Sequence, residues 1–283
     1  MKFSLLNGQQ VDADTAGIIL ENRGFLYGDS LFESIRVMYG QPLWLNWHFE
    51  RLQRACQLLQ IQLPFGLAEL QQMVHTLIEL NKCKSGGRLR LDVWRSAGGR
   101  YKPSAITAEF ALQLEALAEN EFKLNSKGLQ LGDSKRVKHP LFLPDIKSSN
   151  ALLYVLAAQE AQANSKDDVF LYDSEGALLE SSNSNVFLLK DGQLITPALN
   201  RGSLPGILRK LIVEKFPAAG ISIREQLVSH NELMQAEEVY LTNAISGLQW
   251  VSAWRQKRYF KKSANSLVDI LNHLSIQSLT GLT

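Results

Sequence analysis

The sequence predicts a mixed α/β (α+β) fold in two domains, on three observations. Apolar and polar residues alternate through Leu31–Tyr39 and again through Gly87–Trp94, as in half-buried strands. Between them, Phe49, Leu52, Ala55, Cys56 and Leu59 recur at spacings of three and four, the mark of an amphipathic helix. Charged and polar residues then crowd Glu115–Ser126 before a second set of strand and helix patterns begins. The division that follows is a small N-terminal α/β domain over 1–115, a linker over 116–126 and a larger C-terminal domain over 127–283.

In chain order, Lys2–Leu6 reads as a short strand that turns at Asn7-Gly8, a hairpin dipeptide. The strand at Leu31–Tyr39 is followed by Gly40-Gln41-Pro42 and a second strand at Leu43–Leu45. Helices follow at Trp47–Leu59, which carries Arg51 and Arg54, and at Leu67–Asn81. Gly87–Trp94 and Phe110–Leu114 are the remaining strands of the first domain. Beyond the linker come Leu129–Leu131, a turn around Pro140 to Pro144, Lys147, and a helix over Asn150–Ala163 with Ser148, Ser149 and Asn150 as candidate caps. Strands at Asp168–Tyr172, Ala177–Glu180, Asn185–Leu189 and Gln193–Thr196 precede a helix over Leu208–Phe216, with Pro205 near its start. Strands at Ile221–Arg224, Glu238–Thr242 and Leu248–Val251 and a helix over Ser263–Leu274 complete the chain.

Composition narrows the function classes. The 283 residues carry a net charge of +2, with 45% hydrophobic and 20% charged residues, an ordinary globular balance. The basic clusters, Lys135–Lys138 and Arg255–Arg258 with Lys261-Lys262, are short, which argues against a nucleic-acid partner. Cys56 and Cys83 show no CxxC or Cys/His spacing and read as free thiols of a reducing compartment. No apolar run has the length of a signal peptide's core or of a bilayer span, so the expectation is a cytoplasmic protein without a membrane partner. His48, His75, His139, His230 and His273 form no ligand-spaced set, so no metal is expected, and no G-x-S-x-G occurs.

Chemistry is suggested by Lys147, in Asp145-Ile146-Lys147-Ser148-Ser149-Asn150, and by Glu180, which opens Glu180-Ser181-Ser182-Asn183-Ser184-Asn185-Val186-Phe187. An amine able to form a Schiff base and a carboxylate able to hold a pyridinium proton are the two groups that pyridoxal phosphate needs from a protein. By local sequence alone, a solvated lysine at a helix start and a polar turn remain open readings. A third requirement is phosphate recognition. Gly206 and Ile207 open a helix whose free N–H groups make an anion site, and Arg51 can add a charge-assisted bond.

These residues occur in the order of a known pattern. Tyr27–Val37 (Tyr-Gly-Asp-Ser-Leu-Phe-Glu-Ser-Ile-Arg-Val), His48-Phe49-Glu50-Arg51-Leu52, Lys147 with Asn150, Glu180–Phe187, Leu204-Pro205-Gly206-Ile207 and Leu241-Thr242-Asn243-Ala244 together resemble the fold-type IV pyridoxal-phosphate family over nearly the whole chain. That family includes branched-chain aminotransferases, D-amino-acid aminotransferases and aminodeoxychorismate lyases. The resemblance implies a D-amino-acid-aminotransferase-like architecture whose C-terminal domain is a pseudo-barrel that binds pyridoxal 5'-phosphate. It implies that Lys147 is the Schiff-base lysine and proton carrier and that Glu180 pairs with the pyridine nitrogen. Arg51 with the Ile207 and Leu208 amides holds the phosphate in this pattern. Asn183 and Ser184 line the cofactor, and Gly206, Asn243 and Ala244 also fall on cofactor-binding positions. A homodimer is implied, one subunit lending a loop to its neighbour's pocket for a small-molecule substrate.

Within the family the chain departs from two activities. D-amino-acid enzymes carry a tyrosine at the Phe32 position and arginine-x-histidine where this chain has Arg100-Tyr101-Lys102. Branched-chain enzymes carry a tyrosine where Ala151 follows Asn150, and Gly-Thr where Asn243-Ala244 stands, which leaves one phosphate contact without a residue. Aminodeoxychorismate lyases resemble the chain in Arg51–Cys56, in the loop Arg95-Ser96-Ala97-Gly98-Gly99-Arg100-Tyr101 and in Asn243-Ala244. The expectation is a lyase that converts 4-amino-4-deoxychorismate to p-aminobenzoate and pyruvate in folate biosynthesis, with Phe32, Arg100 and Asn243 at the substrate. The alternative is a class IV aminotransferase acting on branched-chain or other amino acids.

Overall fold

The computed structural model describes residues 2–139 and 146–280. They form two compact units, one of residues 2–121, 146–150 and the last few from Ser278, the other of residues 122–139 and 151–277. The five residues around Lys147 therefore belong with the N-terminal unit and not with the chain that flanks them. The turn expected around Pro140 to Pro144 lies outside the described residues.

The first unit runs β1 (Phe3–Leu6), β2 (Gln9–Asp12), α1 (Arg23–Tyr27), β3 (Ser30–Met38), β4 (Gln41–Pro42), α2 (Leu45–Leu58), α3 (Leu67–Leu80), β5 (Gly87–Arg95) and β6 (Ala108–Ala116). Its sheet has the order β2-β1-β6-β5-β3-β4, and every pairing is antiparallel. Asn7 and Gly8, at φ 50° and 81°, make the expected hairpin turn between β1 and β2. The alternation in sequence becomes one buried sheet face, with Leu31, Ile35, Leu89, Leu91, Val93, Leu112 and Leu114 packed against Phe49, Leu52 and Cys56 of α2 and Leu70, Val74 and Leu77 of α3. Glu33 falls between Leu31 and Ile35 on that same face and is 1% exposed. A buried carboxylate there requires partners from the helix layer.

One expected strand is absent. Leu43, Trp44 and Leu45 do not extend β4; Trp44 sits in the left-handed region at φ 50°, and α2 starts at Leu45. All three side chains are buried, so their apolar character marks core burial at a chain reversal and not a strand. Cys56 and Cys83 are free and buried.

The second unit runs β7 (Leu129–Val137), α4 (Leu152–Ala163), β8 (Asp168–Tyr172), β9 (Leu178–Ser181), β10 (Asn185–Lys190), β11 (Gln193–Pro197), α5 (Ile207–Lys215), β12 (Ser222–Gln226), α6 (His230–Gln235), β13 (Glu238–Asn243), β14 (Gly247–Trp254), β15 (Lys257–Arg258) and α7 (Ala264–Leu279). Its sheet follows β12-β11-β10-β13-β14-β7-β8-β9, with β15 added to β14. Parallel pairs at β11/β12, β14/β7 and β7/β8 mix with antiparallel ones. The sheet curls until β9, at one end of the order, comes beside β10 and β11. This is the expected mixed α/β half-barrel. Its interior is filled by Phe170, Leu178, Val186, Leu188, Val239, Leu241, Val251 and Trp254.

Some helix starts differ from expectation, the unexpected α1 among them. Ser148, Ser149 and Asn150 do not cap α4, whose N-cap is Ala151 without a side-chain bond. Their hydrogen-bonding groups are used elsewhere: Ser149 N–H donates to Ser30 O, Asn150 Nδ2 donates to Gly28 O, and Ser148 bridges to Leu31. The short α6 was not anticipated, although Ser229 and Glu232 form a reciprocal capping box at its start. Among the described residues no helix is long and apolar enough to cross a membrane.

Because Leu77 is completely buried between α3 and the sheet, Leu77→Ala is expected to lower stability by about 2–5 kcal/mol. Urea denaturation followed by circular dichroism checks this; a loss below about 1 kcal/mol would show that this core closes over the cavity.

Candidate active site

In the first unit, Lys147 is placed by backbone zipping onto β3. Phe32 N–H donates to Lys147 O at 3.0 Å and Ser149 N–H to Ser30 O at 3.0 Å, while Ile146 packs against the core. The amine then lies 4.3 Å from the centroid of the Phe32 ring, and the Arg90 guanidinium, itself forked onto Asp92, is also 4.3 Å from that ring. Gly28 leaves room for Asn150, at the end of the same segment. At φ +65°, a Cβ there would come within 2.4 Å of Asn150 Oδ1.

Arg51 is anchored by the buried Glu33. Arg51 Nε donates to Oε1 at 2.8 Å and Nη2 to Oε2 at 2.5 Å, and His48 Nδ1 approaches Oε2 at 2.6 Å. Burial alone would raise the Glu33 carboxyl, but the Arg51 guanidinium and His48 hold it at about 2. Burial pushes His48 below its ordinary value, opposed by Glu33 and aided by the positive charges of Arg51 and Lys147. An ionised Glu33 only accepts, so Nδ1 of His48 carries the proton and donates. His48 Nε2 is buried with no partner among the described residues.

In the second unit, Glu180 is 3% exposed at the end of β9 and receives three donors. Lys138 Nζ and the Tyr154 hydroxyl both donate to Oε1, the latter at 2.7 Å, and Leu204 N–H donates to Oε2 at 2.8 Å. Burial first, then the charge of Glu180, raises the Tyr154 phenol, so it remains a donor. Leu204 ties the carboxylate to the start of α5: Asn185 Nδ2 donates to Leu204 O at 2.8 Å, and Gly206 N–H donates to the same oxygen at 2.8 Å. Gly206 is the N-cap of α5, and a Cβ on it would lie 2.1 Å from Asn185 Oδ1. The Ile207 and Leu208 amides thus open a nine-residue helix whose first-turn N–H groups have no acceptor within the helix.

Asn183, Ser184 and Asn243 are linked in one chain of bonds: Asn243 Nδ2 donates to Ser184 Oγ at 3.0 Å, and Ser184 Oγ donates to Asn183 Oδ1 at 2.7 Å. Asn243 Oδ1 meanwhile accepts the Ile245 and Ser246 N–H groups, turning the chain through Ala244 into β14. Thr242, one residue earlier, pairs in register with Asn185 and so shares its strand face. Its Oγ1 is buried with no partner among the described residues.

Arg100 lies on an exposed loop that is held from below. Arg23 Nη1 donates to the carbonyls of Gly98, Gly99 and Arg100 at 3.1, 3.3 and 2.6 Å, while Asp29 Oδ2 accepts from Arg23 Nε and Arg95 Nε, each at 2.9 Å. Gly98 and Gly99 have φ of 113° and 71°, and a Cβ on either would lie 2.2 Å from an atom of the returning strand of the loop. The loop is a built feature, not a loose surface turn.

Comparison with known proteins fits this arrangement. A family model described as amino-transferase class IV matches residues 30–254, a span that includes Lys147, Glu180 and Asn243. The chain belongs to the class IV aminotransferases. This pyridoxal-phosphate-dependent enzyme family was the one expected from the sequence. The chain is 29% identical over 248 residues to the aminodeoxychorismate lyase of Bacillus subtilis, covering 85% of this chain and 82% of that protein. It is 28% identical over 246 residues to the D-alanine aminotransferase of Bacillus licheniformis, covering 84% and 83%. In fold it is similar to the crystal structure of the branched-chain aminotransferase of Thermoproteus uzoniensis, with a TM-score of 0.90 at 21% identity over 99% of this chain and 96% of that one.

For this class IV enzyme the sequence had not singled out Lys138, Tyr154, Glu33, His48 or Thr242. Glu33, His48 and Thr242 lie within the quoted motifs, and Glu33 carries a signal: a charge at a core-facing position of an alternating strand. Lys138 was counted in a basic cluster, of which it alone is buried.

The Glu33 pair generates a pH prediction. Its depressed folded-state value means the ionised form stabilises the fold fully above about 4.5, and the contribution is lost as pH falls through about 2. Glu33→Gln is expected to cost about 3–5 kcal/mol at neutral pH. Thermal melts should show the gap to wild type narrowing as pH drops across that window; a gap independent of pH contradicts the assignment.

Proposed function

We propose that the chain is an aminodeoxychorismate lyase, which releases pyruvate from 4-amino-4-deoxychorismate to leave p-aminobenzoate. The observation that carries this reading is the Arg23-clamped Gly98-Gly99-Arg100 loop. It fixes the backbone that presents the Arg100 guanidinium, a group suited to a carboxylate of a dianionic substrate. The similarity to the Bacillus subtilis lyase supports it.

The residues present fit pyridoxal phosphate on two observations. The orphaned Thr242 hydroxyl shares a strand face with Asn185, which touches the N-terminus of α5, and a phosphate oxygen would satisfy it. This supplies a candidate for the phosphate contact that Ala244 cannot make. In addition, Glu180 Oε2 accepts one bond among the described residues, which leaves it able to take a pyridinium proton. Lys147, Glu180, Arg51 and the Ile207 and Leu208 amides would hold the group, with Asn183, Ser184, Gly206 and Asn243 around it. When bound, it supplies an aldehyde for the substrate amine and a ring that accepts an electron pair.

Lys147 Nζ takes the ring proton from the amine-bearing carbon of the substrate itself. Glu180 Oε2 would hold a proton toward the cofactor's ring nitrogen, and the substrate's enolpyruvyl C–O bond breaks as its own ring becomes aromatic. The released enolpyruvate takes a proton at carbon from the Lys147 ammonium to become pyruvate, which returns Lys147 to the free amine. Arg100 orients the substrate through a carboxylate, and Phe32 offers the flat apolar face on which the Lys147 amine rests. A homodimer, in which a loop of one subunit serves its neighbour's pocket, is part of this proposal, as is a cytoplasmic location.

Aminotransferase activity is the second reading, favoured by the comparable similarity to the D-alanine aminotransferase. There Lys147 moves a proton from the amino-acid α-carbon, with no pyruvate expelled from a cyclohexadiene. Purified protein supplied with aminodeoxychorismate alone is expected to form pyruvate and p-aminobenzoate in equal amounts, and Lys147→Ala to cut the rate roughly a thousandfold or more. Absence of pyruvate, with rapid keto-acid exchange from an amino acid, overturns the lyase in favour of the aminotransferase. Arg100→Ala should raise KM about tenfold or more with kcat nearly kept, as for a lost ionic contact made equally in ground and transition states; an unchanged KM removes Arg100 from the substrate site.

A further inference from the structure

Glu180 is assigned above to the pyridine nitrogen, and the inference here rests on that reading. The carboxylate does not face that task alone. Lys138, 8% exposed, pairs with Oε1, the same oxygen that accepts the Tyr154 hydroxyl, and its Nζ lies 5.4 Å from the centroid of the Tyr154 ring. Lys138 N–H donates to Tyr172 O at 2.8 Å, so its backbone is fixed beside β8 while the amine is fixed on β9's last carboxylate. No other charged side chain contacts Glu180 among the described residues. Oε1 is thus saturated by an ammonium and a phenol, whereas Oε2 holds one backbone N–H.

From this geometry we infer that Lys138 is a positioning residue that shares the charge of Glu180 and so limits how strongly that carboxylate grips the proton on the cofactor's ring nitrogen. The physical basis is competition for one negative charge. A buried cation on one carboxylate oxygen weakens the attraction that the other oxygen exerts on a second cation. Tyr154 and Leu204 N–H fix the direction of the carboxylate from both oxygens, so removing the lysine changes its charge balance more than its aim. A ring nitrogen that is gripped less firmly can return its electron pair more readily, which suits a reaction that ends in expulsion of a leaving group.

The test compares two probes on the full-length chain freed of cofactor, by equilibrium dialysis: pyridoxal 5'-phosphate and its 1-deaza analogue, which has CH in place of the ring nitrogen. Wild type is expected to favour pyridoxal phosphate about tenfold, the order of one hydrogen bond to a charged group. Lys138→Met should raise that preference by roughly a further tenfold, and Lys138→Arg should keep it within about threefold of wild type. Lys138→Gln retains a donor for Oε1 without the charge and should behave as the methionine variant, which keeps the test decisive if Lys138→Met does not fold. An unchanged or reduced preference in the uncharged variants overturns the inference, because a merely structural lysine would weaken both probes equally. A wild type that binds both probes equally overturns the pairing of Glu180 with the ring nitrogen, and this inference with it.

Discussion

Burial of the Glu180 carboxylate organises the second unit. A charge removed from water must be answered by donors, and here they come from three separate places: the end of β7, the first helix after it, and the loop that leads into α5. Leu204 is the hinge of this arrangement. Its N–H satisfies Glu180 while its carbonyl is held by Asn185, so the carboxylate and the amide-rich start of α5 are set by the same residue. The absence of a side chain at Gly206 lets Asn185 come close enough to make that bond. A carboxylate at one end and an anion-binding helix start at the other are the two poles that a protonated pyridine carrying a phosphate requires.

The first unit solves a similar problem with different parts. Glu33 occupies a position that the strand's alternation would give to an apolar residue, and α2 answers with Arg51 and His48 on the side it turns toward the sheet. The fork from Arg51 fixes the guanidinium against rotation, and under the proposed function that would lower the entropic cost of holding a phosphate there. Lys147 reaches the same unit by a different route, through backbone bonds to β3 that leave its amine over the Phe32 ring. An aromatic face attracts an ammonium, so the Phe32 ring helps to place the amine.

Local patterns were legible in the sequence where side-chain periodicity decides the backbone. The alternation of β3 and β5, the spacing along α2 and the Asn7-Gly8 turn all appear as read. Leu43–Leu45 misled because three apolar residues in a row say only that they are buried; the left-handed Trp44 that turns them into a helix start leaves no periodic trace. The capping residues before α4 misled for a related reason, since a serine or asparagine side chain serves whichever backbone group the tertiary structure brings near. Lys138 was not legible at all. Nothing within a few positions of it indicates a carboxylate on another strand, and its neighbours Lys135 and Arg136 are exposed, so the cluster looked uniform.

The distribution of bonds around Asn243 bears on how one scaffold can serve different reactions. Its carboxamide has four hydrogen-bonding sites. Two on Oδ1 are taken by the Ile245 and Ser246 amides, and one on Nδ2 by Ser184, leaving a single N–H. A residue so committed to shaping its own turn offers a substrate carboxylate one neutral bond at most, far less than a guanidinium supplies. Under the proposed function the weight of carboxylate recognition would therefore fall on Arg100, whose backbone is clamped on an exposed loop. Such a loop can change residue without disturbing the buried pairs of Glu33 or Glu180. Glu33 and Glu180 are fixed in the cores of the units, whereas Arg100 stands on a loop where its own substitution costs the fold little.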